Sequence, residues 1–112
     1  MPIANCILSS SVAQSGDHPS DLIAKWGHHS GVDTSEMTVT VVRAEQPMGK
    51  EYKAICTLHL PSVWSPKSVD LLQVGLAKAV SEQFELKVAD VIVMTSIIQS
   101  GHVVEGGEVV SW

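Results

Sequence analysis

The residue in this 112-residue chain with the most unusual chemistry is the proline directly behind the first methionine, in the segment MPIANCIL. If Met1 is removed, the nitrogen of Pro2 becomes a free secondary amine. An α-amine titrates at about 7.7–8.0 in model compounds, and burial in an apolar pocket lowers that value by disfavouring the charged form. An amine brought near neutrality can take a proton from a carbon beside a carbonyl and return it elsewhere, which is keto–enol or double-bond isomerisation. Left protonated, the same amine is a general acid, able to protonate a carbanion during water addition to an unsaturated acid. The structural alternative is that Pro2 simply opens a strand, where its missing N–H costs nothing.

The other candidates are few. Arg43 is the only arginine in the chain. A guanidinium pairs with a carboxylate at two points, so Arg43 is either a substrate clamp or a solvated charge at a strand end. His28 and His29, in GHHSG, close the first predicted helix, whose C-terminus favours a charged imidazole; the alternative is a surface pair. Glu105 lies in the glycine-rich stretch HVVEGG. His59 and His102 read as structural. No histidines, cysteines or carboxylates have metal-ligand spacing, and no nucleophile–base arrangement suggests a hydrolase. The expected activity needs no cofactor and no metal.

A net charge of −5 with seven scattered Lys and Arg gives no basic stripe, so nucleic acid is not an expected partner. No apolar run reaches membrane-span length. Residues 1–8 lack a basic leader region, so a cytoplasmic location is expected. Apolar residues make up 45% of the chain, which is high for a small monomer and suggests burial between subunits. Cys6 and Cys56 both lie in apolar strand-like runs and read as reduced core thiols.

These residues need elements to hold them. The runs at 2–8, 37–46, 52–60 and 89–98 read as strands from their apolar or β-branched content. Residues 15–31 read as a short helix capped by Asp17, with Leu22, Ile23 and Trp26 on its apolar side and Gly31 as its stop. Residues 65–84 form the strongest predicted helix. Ser65 caps it, Pro66 takes its first position, and Val69, Leu72, Leu76 and Val80 recur at helical spacing. Residues 100–112 read as a glycine-broken loop with a short terminal strand. Strand–helix–strand thus occurs twice, at about 2–46 and 52–98, each unit long enough for a parallel crossover. The expected fold is one α/β domain over 1–112: two β-α-β repeats forming a four-stranded mixed sheet with two helices on one face. Ala54 then occupies the position matching Pro2.

With Pro2 at the head of the first strand, this duplicated plan and the loop GHVVEGG, the chain resembles the tautomerase superfamily over nearly its whole length. GHVVEGG is similar to the late loop of 4-oxalocrotonate tautomerase subunits. MTVTVV and AICTLHL resemble strands of the macrophage migration inhibitory factor branch. EQPMG and VVEGG resemble the cis-3-chloroacrylic acid dehalogenase branch. The resemblance implies a homotrimer of double-length subunits and a catalytic amino-terminal proline. The function it implies is a tautomerase-like isomerase, with Pro2 as general base on a small keto or enol acid. The alternatives are a hydratase or dehalogenase of the cis-3-chloroacrylic acid dehalogenase type, and a non-catalytic trimeric binding protein. It also implies a water-activating role for Glu105 and substrate-binding roles for His29, for its neighbour His28, and for Val103 in the same loop as Glu105. The chain departs from the family's arginines: Val12, Trp64 and Ile92 stand where the resemblance would place them, none lies near Leu60, and the expected lysine falls near Val32.

Overall fold

Alternation along the strands sets up a one-sided sheet. The computed structural model describes residues 1–13 and 20–112. Its elements in chain order are β1 (Ile3–Leu8), α1 (Ser20–Ser30), β2 (Thr38–Arg43), β3 (Ala54–Pro61), α2 (Pro66–Gln83), β4 (Val91–Ile98), β5 (Val103–Glu105) and β6 (Glu108–Val110), with a 3-10 turn at Val88–Asp90 before β4. In β1, Ala4, Cys6 and Leu8 are buried; in β3, Ala54, Cys56, Leu58 and Leu60 are. The residues between them, among them Asn5, Ile7 and Ile55, point the other way and are exposed. The strand order is β2-β1-β3-β4. β1 and β2 run parallel with Ile3 opposite Thr38, β1 and β3 antiparallel with Ile3 opposite His59, and β3 and β4 parallel with Ala54 opposite Val91. The two crossover helices pack on one face of this mixed sheet, as the repeated β-α-β pattern predicts.

The core lies between that face and the helices. Leu22 and Trp26 from α1 meet Leu72, Leu76, Ala79 and Val80 from α2 over the buried strand residues. Trp26 is fully buried and donates its indole N–H to the Leu72 carbonyl at 2.9 Å, so its polar atom is satisfied inside the core. Ser65 caps α2 as expected, accepting the Ser68 N–H at 3.2 Å, with Pro66 next. The helices approach closely at Gly75, where an added Cβ would lie 3.0 Å from the Ser30 backbone nitrogen. Alanine is the better helix former by about 1 kcal/mol. Overpacking against a backbone atom costs about 1–3 kcal/mol, so we expect Gly75→Ala to lower the urea unfolding midpoint, and an unchanged or raised midpoint would contradict this packing.

Several boundaries differ from the sequence reading. The strand expected over 52–60 begins at Ala54 and continues to Pro61. The one expected over 89–98 begins at Val91, because Val88–Asp90 forms the 3-10 turn whose Asp90 carbonyl accepts the Lys53 N–H at 2.8 Å. The expected cap Asp17 lies outside the described residues. The tail expected as a loop with one strand is a hairpin: Gly106 (φ 61°) and Gly107 (φ 81°) both adopt the positive φ of a tight two-residue turn, and Val103 and Val104 pair with Val110 and Val109.

Cys6 and Cys56 are directly opposite across β1 and β3, free and fully buried. The Ser9 N–H reaches the Lys53 carbonyl at 2.9 Å. Continuing the alternation makes Cys6–Cys56 a non-hydrogen-bonded pair, the kind whose side chains stand closest. The hydrogen bond between the thiols, together with burial, pushes the Cys56 thiol far above its ordinary range. We expect no alkylation of the native protein and two alkylated thiols per chain once it is unfolded; rapid native labelling would place these side chains elsewhere.

The sheet face away from the helices carries Ile7 (44% exposed), Val42 (52%), Ile55 (36%) and Met94 (50%) among threonines and Asn5. No described helix covers this face. Among the described residues no helix is long and apolar enough to cross a membrane.

Candidate active site

Strand direction gathers one end of the sheet around Pro2. Because β2 is parallel to β1, its first residues lie beside the start of β1; because β3 is antiparallel, its last residues lie there too. Pro2 has no N–H to donate, and its carbonyl accepts the Thr38 N–H at 3.0 Å. Its side chain is fully buried. Met1 is half-buried and lines two adjoining cavities. The larger is a groove of about 610 Å³ between Met1 and Ile3, the 35–38 segment, Pro61 and Val63, and the β5–β6 hairpin with Trp112. The smaller, about 150 Å³, lies against Met1, Ile3, His59 and Ile98.

The structure brings Val103 and Glu105 to the groove beside Met1. Both line the groove together with Met1, carried there by the terminal hairpin, and Val103 lines the smaller cavity as well. It does not bring the other candidates. His29 bonds through Nε2 to Glu82 Oε1 at 2.8 Å, a contact that holds the Glu82 carboxyl below its ordinary value. His28 is exposed and packs edge-on against the His29 ring. Neither imidazole lines either cavity. Arg43 ends β2, at the opposite end of the sheet. It shares a face with Leu8, its β1 partner, and its guanidinium donates to the carbonyls of Val12 and Ala13. It therefore pins the segment after β1. We expect Arg43→Ala to lower thermal stability and leave KM unchanged; a raised KM would return Arg43 to the site.

Glu36, Met37 and Trp112 of the groove, and His59 of the smaller cavity, escape a reading by motif. The register could have found them, since Met37 precedes β2 and His59 lies opposite Ile3. Trp112 is held by its indole N–H donating to the Ser62 hydroxyl at 2.9 Å and by its backbone N–H donating to the Ser100 hydroxyl at 2.8 Å. Glu36 and Glu105 are the only charged side chains among the described residues that line the groove. Among the described residues no three His, Cys, Asp or Glu side chains could hold a metal ion.

No family model and no curated protein matches this sequence. Solved structures do. A fused 4-OT wild-type symmetric trimer is similar with a TM-score of 0.74 at 12% identity, covering 96% of this chain and 94% of that one. A structure of Pt0534 inactivated by 2-oxo-3-pentynoate is similar with a TM-score of 0.72 at 9% identity, over 96% and 94% of the two chains. The macrophage migration inhibitory factor of Trichinella spiralis is similar with a TM-score of 0.68 at 15% identity, over 96% and 98%. At such identities the likeness is one of fold, and it runs the length of both chains: this protein has the β-α-β fold of the tautomerase superfamily, in the double-length form of fused 4-OT.

Proposed function

We propose that the protein is a tautomerase-like isomerase in which Pro2, freed of Met1, is the general base. The observation that supports this most is that Pro2 is fully buried at the head of β1, next to Met1, which lines both cavities. Removing Met1 leaves a secondary amine there and space for a small molecule in front of it. Burial disfavours the ammonium form, against the opposite pull of the Glu36 and Glu105 carboxylates in the groove. The amine takes a proton from the carbon beside a substrate carbonyl. The C–H electron pair becomes the C=C bond of the enol, the carbonyl π pair moves to oxygen, that oxygen takes a proton from water, and the hydroxide left behind takes the proton from the Pro2 ammonium. Run in reverse, the same steps return the ketone. The ring fixes the direction of the lone pair, and the groove holds the substrate against it, so positioning adds to proton transfer.

The exposed apolar sheet face supports a homotrimer, the assembly of the fused 4-OT structure to which this chain is similar. A sheet with helices on one side only must meet water or another copy on the other.

Glu105 favours a second reading. Its carboxyl group lines the groove beside Met1, where it can activate water while a protonated Pro2 delivers the proton, as a hydratase or dehalogenase requires. The two readings separate on substrates. Processed protein should accelerate ketonisation of small enols above the solvent rate, followed by loss of the enol absorbance. Activity on a haloacrylate or an acetylenic acid with none on enols would favour the second.

A further inference from the structure

The charge around Pro2 bears on what the groove accepts. Its lining is apolar along Ile3, Met37, Val104 and Trp112, and its charged side chains are Glu36 and Glu105. All seven Lys and Arg lie among the described residues, and none lines either cavity. Arg43 is tied to the Val12 and Ala13 carbonyls, Lys53 to Ser11 and Glu51, and Lys25 to Gln83. Lys50 lies over the Tyr52 ring. Lys67, Lys78 and Lys87 are exposed on α2 and just after it.

The strands of a second copy packed on the open sheet face add no lysine or arginine to this balance. Arg43 is the only Lys or Arg in β1–β4, and its register with Leu8 puts it on the helix side. A neighbour's sheet face therefore presents Asn, Ser, Thr, His59 and apolar side chains, with no lysine or arginine. A carboxylate entering the groove would leave water to face two acidic side chains with no guanidinium or ammonium side chain to pair with. An uncharged carbonyl compound meets apolar walls instead, and His59 beside Met1 offers a ring N–H to a carbonyl oxygen.

We propose that the groove at Pro2 takes a neutral carbonyl compound, an aldehyde, ketone or keto ester with an acidic α-carbon, and discriminates against the corresponding carboxylate. This rests on the isomerase reading and narrows its substrate class, against the keto acid that resemblance alone implies.

The test compares phenylenolpyruvate with the enol of its methyl ester, two substrates that differ by one charge. With processed protein we expect kcat/KM for the ester to exceed that for the acid by tenfold or more. Replacing both acids, Glu36→Gln with Glu105→Gln, should bring the ratio toward unity by raising the value for the acid. An acid used as well as the ester, or better, overturns the neutral-substrate proposal and leaves the isomerase reading intact. If neither enol is turned over, the isomerase reading falls, and binding decides the rest. Trp112 lines the groove, so its fluorescence reports occupancy by unreactive methyl cinnamate or cinnamate, with Trp112→Phe as the control. Quenching by the ester at concentrations where the acid has no effect upholds a groove for neutral ligands; equal or stronger quenching by the acid overturns it.

Discussion

Pro2→Ala lowers enol turnover by about 10²-fold or more in protein that has lost Met1, the lower end of what a positioned general base contributes. Alanine keeps an amino terminus and most of the packing at the head of β1. It loses the secondary amine and the ring that aims it. Protein that retains Met1 should be at least as impaired, because its Pro2 nitrogen is an amide and Met1 stands between it and both cavities, whose walls it lines. Only the second can be rescued: removing its Met1 enzymatically restores activity, whereas Pro2→Ala, already processed, stays impaired. Equal turnover by wild type and Pro2→Ala would mean that another group moves the proton.

A pair of lysines on the open sheet face, Ile55→Lys with Met94→Lys, abolishes assembly. Both positions lie on the side away from the helices and are 36% and 50% exposed in the isolated chain, so the fold tolerates the change. Across an interface the new charges would be buried without partners, a cost of several kcal/mol for each ion. Sedimentation velocity at micromolar concentration should give a trimer for wild type and a monomer for the variant, with unchanged far-UV circular dichroism. A wild-type monomer under those conditions would contradict the assembly. The groove's hairpin ties assembly to activity: Val104 and Val109 are 67% and 63% exposed on a two-stranded unit, and such units are marginal alone. The lysine variant should therefore lose turnover along with the trimer.

The strand alternation of β1 and β3, the Ser65–Pro66 start of α2 and the crossover lengths were legible because each is a local signal that tertiary context reinforces. The terminal hairpin was legible in principle. Two glycines between Val-Val-Glu and Glu-Val-Val mark a tight turn, but strands of three residues are too short for periodicity to stand out. The candidate site divided along the same line. Val103 and Glu105 share a groove with Met1, Pro2's neighbour, because the terminal hairpin and the head of β1 each carry a local signal. His29 did not join them, since its partner Glu82 lies 53 residues away on the neighbouring helix and only helix packing makes that contact. Arg43 reads equally well as a clamp or a strand-end charge until the register sets it on the helix side at the far end of β2. Glu36 carries no motif at all. Its place beside Met1 follows from β2 running parallel to β1, and it changes the charge of the site.

The central claim is that Pro2 presents a reactive amine in a cavity. Incubation of processed protein with a neutral acetylenic ketone, followed by peptide-mapped mass spectrometry, tests it most directly. The amine adds across the triple bond, so the adduct carries the whole mass of the reagent. Cys6 and Cys56, the usual competitors, are fully buried. The predicted result is one adduct per chain, on the Pro2 nitrogen, with turnover lost in proportion to labelling. Modification elsewhere with Pro2 untouched, or full turnover after Pro2 is labelled, would contradict the account.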